Sequence, residues 1–149
     1  MQQLNLPAFK VRCKRSKDTI YIHDPLRRLY LKLSPEEWVR QHFVNFLINY
    51  KNVPSTLIAN EVGINLNGTI KRCDSIIYDQ YLNPLAIVEY KAPNIAINEK
   101  VLDQIVRYNM TLRAKYLLLS NGLNHYCCLI DYQKQTYSFL PEIPMYQDL

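Results

Sequence analysis

The stretch KRCDSIIYDQYLNPLAIVEYKAP, Lys71 to Pro93, holds two apolar runs of strand length separated by a short polar break. KRCDSIIYD reads as one strand and PLAIVEYK as the next, with Gln80 to Asn83 as the loop between them. Pro93 ends the second strand, because it has no amide hydrogen for a ladder bond and pushes the preceding residue away from helical geometry. Side chains alternate along a strand, so Leu85, Ile87, Glu89 and Lys91 share one face, while Arg72, Asp74, Ile76 and Tyr78 share a face of the partner. A loop centred between Tyr81 and Leu82 sets the register and puts Asp74 opposite Glu89.

Opposed residues bring their side-chain roots within roughly 5 Å, and two like charges placed that way repel unless something offsets them. A hard divalent cation such as magnesium does this well, since it takes carboxylate oxygens and keeps several waters. Lys91, on the same face, is placed to orient or deprotonate a water, or to neutralise charge developing on a phosphoryl group. An isolated Glu-x-Lys is ordinarily just the exposed polar end of a hairpin. Here Ile76, Leu85 and Ile87 on the same face point towards the interior, although a slip of one residue in register would dissolve the pairing.

Working outward, SPEEWVRQHFVNFLINY reads as a helix capped by Ser34, with Pro35 at the first helical position and Val39, Phe43, Phe46, Leu47 and Tyr50 as its apolar stripe. STLIANEVGINL reads as a strand with Ile58, Val62, Ile64 and Leu66 on one parity, followed by a turn at Asn67 and Gly68. From Asn98 the period changes: Val101, Gln104, Ile105, Tyr108 and Leu112 recur at helical spacing, and Gln104 is expected as a buried amide on that stripe. AKYLLLSNG, HYCCLID and TYSFL read as three further strands. A three-strand antiparallel meander followed by a crossing helix and more strands predicts an α/β sandwich with a central mixed β-sheet flanked by helices. Phe9 to Ile22 suits a small hairpin. The expectation is one domain over 1–149, with N-terminal strands or a hairpin over 1–30 leading into a core over 34–140.

A chain of 149 residues with 48% hydrophobic residues and three glycines is globular in character. Its net charge of +5 makes polyanionic partners plausible. The cations cluster early, as Lys10, Arg12, Lys14, Arg15 and Lys17 and again as Arg27, Arg28 and Lys32, which suits a solvated face or a phosphate track equally. Cys13, Cys73, Cys127 and Cys128 lack CxxC spacing, and His23, His42 and His125 are scattered, so zinc is not expected. No signal region or membrane-spanning stretch is read, and a cytoplasmic location is expected.

Five blocks in order, SPEEWVRQHF, KRCDSIIYD, IVEYKAP, DQIVRYNM and LLLSNGLNHYC, make nearly the whole chain resemble the N-terminal nuclease domain of type I restriction enzyme R subunits, within the PD-(D/E)xK nuclease superfamily. The resemblance implies a restriction-endonuclease-like fold in which an Asp ends one strand, a Glu-x-Lys lies on the next, and metal held by the acids serves phosphodiester cleavage. Those roles would fall on Asp74, Glu89 and Lys91, with Asp74 and Glu89 as the metal ligands. A Gln-x-x-x-Tyr motif found in several branches matches Gln104 and Tyr108. Cys73 stands where the name-giving motif has proline, a position that varies among such enzymes.

An acid on the first helix often completes such sites. Glu37, three residues after Ser34, suits a capping box, which leaves Glu36 as the preferred candidate. Glu61 has a supporting role by resemblance or is a solvated strand residue; Arg72 contacts phosphate, braces the acids or forms an ordinary salt bridge. The expected activity is a magnesium-dependent DNA endonuclease, manganese substituting, with DNA and other restriction-system subunits as partners. A non-catalytic nucleic-acid-binding or assembly module is the alternative. No P-loop pattern is present, so ATP-driven translocation is not expected within these residues.

Overall fold

A computed structural model describes all residues, 1–149. The chain forms nine strands and two α-helices: β1 (Cys13–Ser16), β2 (Thr19–Asp24), β3 (Leu29–Lys32), α1 (Pro35–Tyr50), β4 (Ile58–Leu66), β5 (Thr69–Tyr78), β6 (Pro84–Tyr90), α2 (Glu99–Asn109), β7 (Tyr116–Ser120), β8 (His125–Asp131) and β9 (Thr136–Leu140). Strands β4 to β9 form one six-stranded sheet in sequence order, antiparallel throughout except for the parallel β6–β7 pair that α2 connects. The expected α/β sandwich with a central mixed sheet and flanking helices is the architecture found.

The two innermost strands carry the most continuous apolar runs, as strands covered on both faces must. Ala86, Ile87 and Val88 of β6 and Leu117, Leu118 and Leu119 of β7 are essentially inaccessible. One face packs Val88, Tyr90 and Leu118 under Val39, Phe43, Val44 and Leu47 of α1. The other packs Ile76, Ile87, Leu117 and Leu119 under Leu102 and Val106 of α2. Alternation splits the adjacent Cys127 and Cys128 between these two cores, where both thiols are free and buried.

Ser34 caps α1 by accepting a hydrogen bond from the Glu37 amide at 3.0 Å, and Asn98 caps α2 by accepting from the Val101 amide at 2.9 Å. Tyr50, placed on the α1 stripe by its spacing, is instead 52% exposed as the last residue of the helix, and Val44, off that stripe, is buried. The N-terminal segment is more than a hairpin. A third strand, β3, extends it into a separate antiparallel sheet in the order β1–β2–β3. No helix is long and apolar enough to cross a membrane.

Candidate active site

The β5–β6 register pairs Ser75 with Val88, Ile76 with Ile87, and Ile77 with Ala86, the pairing on which the opposition of Asp74 and Glu89 rests. The ladder stops at that point. Asp74 accepts a hydrogen bond from the Tyr90 amide at 3.0 Å, so a side chain replaces the next rung and the strands part around the two acids. On the other side of β5 the β4 ladder skips too: Asn60 pairs with Ser75 and Val62 with Cys73, while Glu61 lies between them with φ of +54°. A left-handed residue inside a strand breaks the alternation.

That break corrects two readings of parity. Ile58 packs in the α1-side core, whereas Val62, Ile64 and Leu66 pack on the α2 side, so the four do not share a face. Likewise Cys73 and Ser75, two residues apart, face opposite cores: Cys73 packs with Ile76, and Ser75 accepts from the Tyr90 hydroxyl at 2.9 Å in the other layer. Leu85 also departs from the face of Ile87, because a register shift between Ile77 and Tyr78 turns it towards the α1 side.

Burial, the charge of Asp74 and a hydrogen bond between the two carboxyl groups push Glu89 up to about 8. Asn109 and Lys91 pull the other way. Glu36 feels the same cluster. Its pKa is raised by burial and by the charge of Asp74, against the opposing pull of Lys91 and Arg40, so of the two helix glutamates Glu36 is the one beside Asp74 and Lys91. Glu37 turns away: it accepts from Gln41 at 2.8 Å and lies 3.6 Å from Arg27 and 3.7 Å from Arg40.

Glu61 is bound to Arg40 at 2.6 Å. Arg72, with its side chain 75% exposed, reaches Glu61 only at 3.8 Å. An exposed contact of that length is worth little, and Arg72 stands at the rim of a cleft of about 380 Å³ that also touches Glu89, Lys91, Gln104 and Tyr108. Lys91 lies just past the end of β6, its amide bonded to the Ser120 carbonyl at 2.9 Å.

Gln104 is exposed rather than buried, and this has a geometric reason. The buried stripe of α2 runs through Leu102, Val106 and Asn109, which rotates Gln104 and the 55% exposed Tyr108 out to the cleft wall. The buried amide of this helix is therefore Asn109. It donates to the Ile105 carbonyl at 2.9 Å and, at a long 3.4 Å, to Glu89, and its own Oδ1 has no partner. Next to Tyr108 its sequence signal was masked, yet an i+3 step from Val106 and an i+7 step from Leu102 place it on the buried line.

Two cations were also not anticipated. Arg40, 4% exposed, lies between Glu37 and Glu61. Lys71 is buried with its ammonium 3.6 Å from the centre of the Tyr108 ring and donates to Thr111 at 2.9 Å. Burial lowers its pKa, while Cys73 and Glu89 oppose that.

No group of three or more His, Cys, Asp or Glu side chains stands at metal-ligating spacing. The chemistry of the Asp74 and Glu89 pair nevertheless suits a hard cation. Both donors are carboxylates, and burial first and the charge of Asp74 second raise the pKa of Glu89, a strain that a bound cation would relieve.

A mixed sheet with one helix on each face defines an α/β domain, in which Asp74 and Glu89 lie where the β5–β6 ladder ends. Residues 35–144 match the family described as Type I restriction enzyme R protein N terminus (HSDR_N), and the chain belongs to that family. The fold is similar to a fragment structure of a putative HsdR subunit of a type I restriction enzyme from Vibrio vulnificus YJ016, with a TM-score of 0.51 and 22% identity over 76% of this chain. The chain spans 24% of that relative's length. No curated protein sequence matches it.

Proposed function

We propose that this domain is a divalent-metal-dependent DNA endonuclease of the PD-(D/E)xK superfamily, hydrolysing phosphodiester bonds within a restriction system. The observation that supports it most is the Asp74 and Glu89 carboxyl pair, set where the β5–β6 ladder ends and flanked by Glu36 and Lys91. Asp74 and Glu89 would hold magnesium or manganese, and the ion would supply positive charge that makes the phosphate a better electrophile and water a better nucleophile. Lys91 would offset charge on the phosphoryl oxygens and hold the attacking water in line. In the reaction the water oxygen bonds to phosphorus, the phosphorus–oxygen bond to one sugar breaks, and a proton passes to the leaving oxygen. Glu36 would act from the helix side as an acceptor for the water's proton, and its raised pKa suits that task. Gln104 and Tyr108, on the cleft wall, would contact the sugar-phosphate strand.

The test is nicking of supercoiled plasmid with magnesium or manganese, compared with EDTA. Asp74→Ala and Lys91→Ala should each abolish metal-dependent nicking, and activity that survives either change would remove the site. A non-catalytic binding or assembly module is the second reading, favoured by the lack of a third ligating side chain. DNA binding or capture of restriction subunits without any metal-dependent cleavage would establish that reading instead.

A further inference from the structure

The family match begins at residue 35, so the β1–β3 sheet lies wholly outside it. That sheet and the segment leading into it also carry the chain's positive charge. Residues 1–32 hold eight Lys and Arg against two Asp, a net of +6, whereas residues 33–149 hold ten against eleven, a net of −1. Of the two acids, Asp24 is fully buried and bound to Arg27, which leaves Asp18 in the β1–β2 turn as the only exposed one. A surface kept for solubility alone normally mixes both signs.

The register shows how these residues are arranged. Lys14 pairs with Tyr21, and Tyr21 pairs with Lys32, so the three form one row across a single face. The next row pairs His23 with Tyr30, and the His23 amide bonds to the Arg12 carbonyl at 2.9 Å at its outer end. The rows touch: Lys14 lies 4.2 Å over the Tyr30 ring, and His23 stands 5.1 Å from the same ring. Ile22 and Asp24 anchor the opposite face, both fully buried, and Asn60 of the main sheet donates to Asp24 at 3.0 Å. Beyond Arg12 and His23 the face runs into a recess of about 320 Å³ that is also lined by Phe9, Lys10, Asn45 and Asn49, where Asn49 Nδ2 donates to Asn45 Oδ1 at 2.8 Å and leaves Asn45 Nδ2 and Asn49 Oδ1 free of that bond.

We propose that this face binds single-stranded polynucleotide. Lys14, Lys32 and Arg12 follow the phosphates, Tyr30 and His23 offer stacking surfaces to unpaired bases, and the recess accepts one splayed base against amide donors and acceptors. Aromatic rings interleaved with cations on an exposed sheet face suit unpaired bases, whose π-faces a duplex hides. The site is independent of the nuclease reading and needs no metal.

The test is fluorescence anisotropy in EDTA with labelled oligothymidylate, oligouridylate and a duplex, each of about 12 residues, within the span such surfaces cover. Binding of either single strand more tightly than the duplex is expected. Combined Lys14→Ala and Lys32→Ala should weaken it about tenfold or more and reduce the log-log salt slope by about 1.4. Tyr30→Ala should weaken it about fivefold or more with the slope unchanged. Lys134→Ala, which removes an exposed charge far along the chain in the β8–β9 turn, should change it by less than about twofold. Tighter binding of the duplex, or equal effects of the Lys14/Lys32 and Lys134 changes, would overturn the proposal. Because cleavage is not measured, a loss of nuclease activity elsewhere leaves these outcomes unchanged.

Discussion

Replacing Glu89 by Gln should make the metal-free protein more stable at alkaline pH while removing the proposed activity. Glu89 is raised from 4.5 to about 8 by burial first and by the neighbouring Asp74 second. A carboxyl group whose folded pKa lies above its unfolded value contributes stability that is fully present below the unfolded pKa. That stability is lost as pH rises through the folded one, here between 4.5 and about 8. At about 1.4 kcal/mol per pKa unit the ceiling is about 5 kcal/mol. Part of the rise belongs to the shared proton of the pair, so on the order of 2 to 4 kcal/mol is expected. Gln keeps the shape and the hydrogen bonding of the neutral acid without the charge. Urea titrations in EDTA at pH 5 and pH 8.5 should therefore show a wild type that weakens across this interval and a Glu89→Gln variant that weakens far less. The histidines do not disturb the comparison: burial lowers the pKa of His42 and His125, so their contribution falls only as pH drops, and it is common to both proteins. Magnesium should raise the wild-type midpoint at pH 8.5 and leave the variant almost unmoved. Identical pH profiles for the two proteins in EDTA would refute the burial and charge argument for the pair.

Asn109→Ala removes the donor that pulls Glu89 down, together with a buried amide already short of one partner. It should cost about 1 kcal/mol of stability in urea, and should shift the alkaline limb of the metal-free stability profile to higher pH, which a purely packing role for Asn109 would not do. Asp24→Ala strips four hydrogen bonds from one buried carboxylate, those from the Leu26 and Arg27 amides, the Arg27 guanidinium and the Asn60 amide. Leaving Arg27 with Glu37, 3.6 Å away, as its one remaining acid partner should cost on the order of 3 kcal/mol. Because the Asn60 bond ties the β1–β3 sheet to β4 and the other three hold the turn after β2, limited proteolysis should then cut first between residues 10 and 34.

The hairpin was readable because a short loop and a strict alternation leave one register, and the structure keeps that register from Ser75 to Ile77. What alternation could not reveal was its own interruption. Nothing in ANEVG signals that Glu61 adopts a left-handed backbone, since Glu is not a residue that favours it. The bound Arg40 that holds Glu61 comes from a helix 21 residues earlier. The helix α2 was legible in extent but not in phase. Val101 and Ile105 line up with Gln104 and Tyr108 as readily as Leu102 and Val106 line up with Asn109, and only packing on Ile76 and Leu117 chooses between the two stripes. The third strand of the N-terminal sheet was missed because DPLRRLYLKL alternates on one half only, its Leu26 and Arg27 being held in the turn by Asp24.

The division of charge along the chain bears on how such a site could be approached at all. Glu36, Glu61, Asp74 and Glu89 are faced by Arg40, Lys91, the largely exposed Arg72 and, towards Glu89, Lys71, so the cleft has no surplus of positive charge to draw in a phosphate backbone. Attraction must then come from elsewhere on the surface. The β1–β3 sheet supplies it, and its anchor is one residue away from the site: Asp24 is bound to Asn60, and Asn60 precedes Glu61. Placing the polyanion-binding energy on a separate sheet spares the acids an excess of fixed positive charge, the condition that favours a cation between Asp74 and Glu89. A chain with the same net charge spread evenly would set more fixed cations beside its acids and lose that preference.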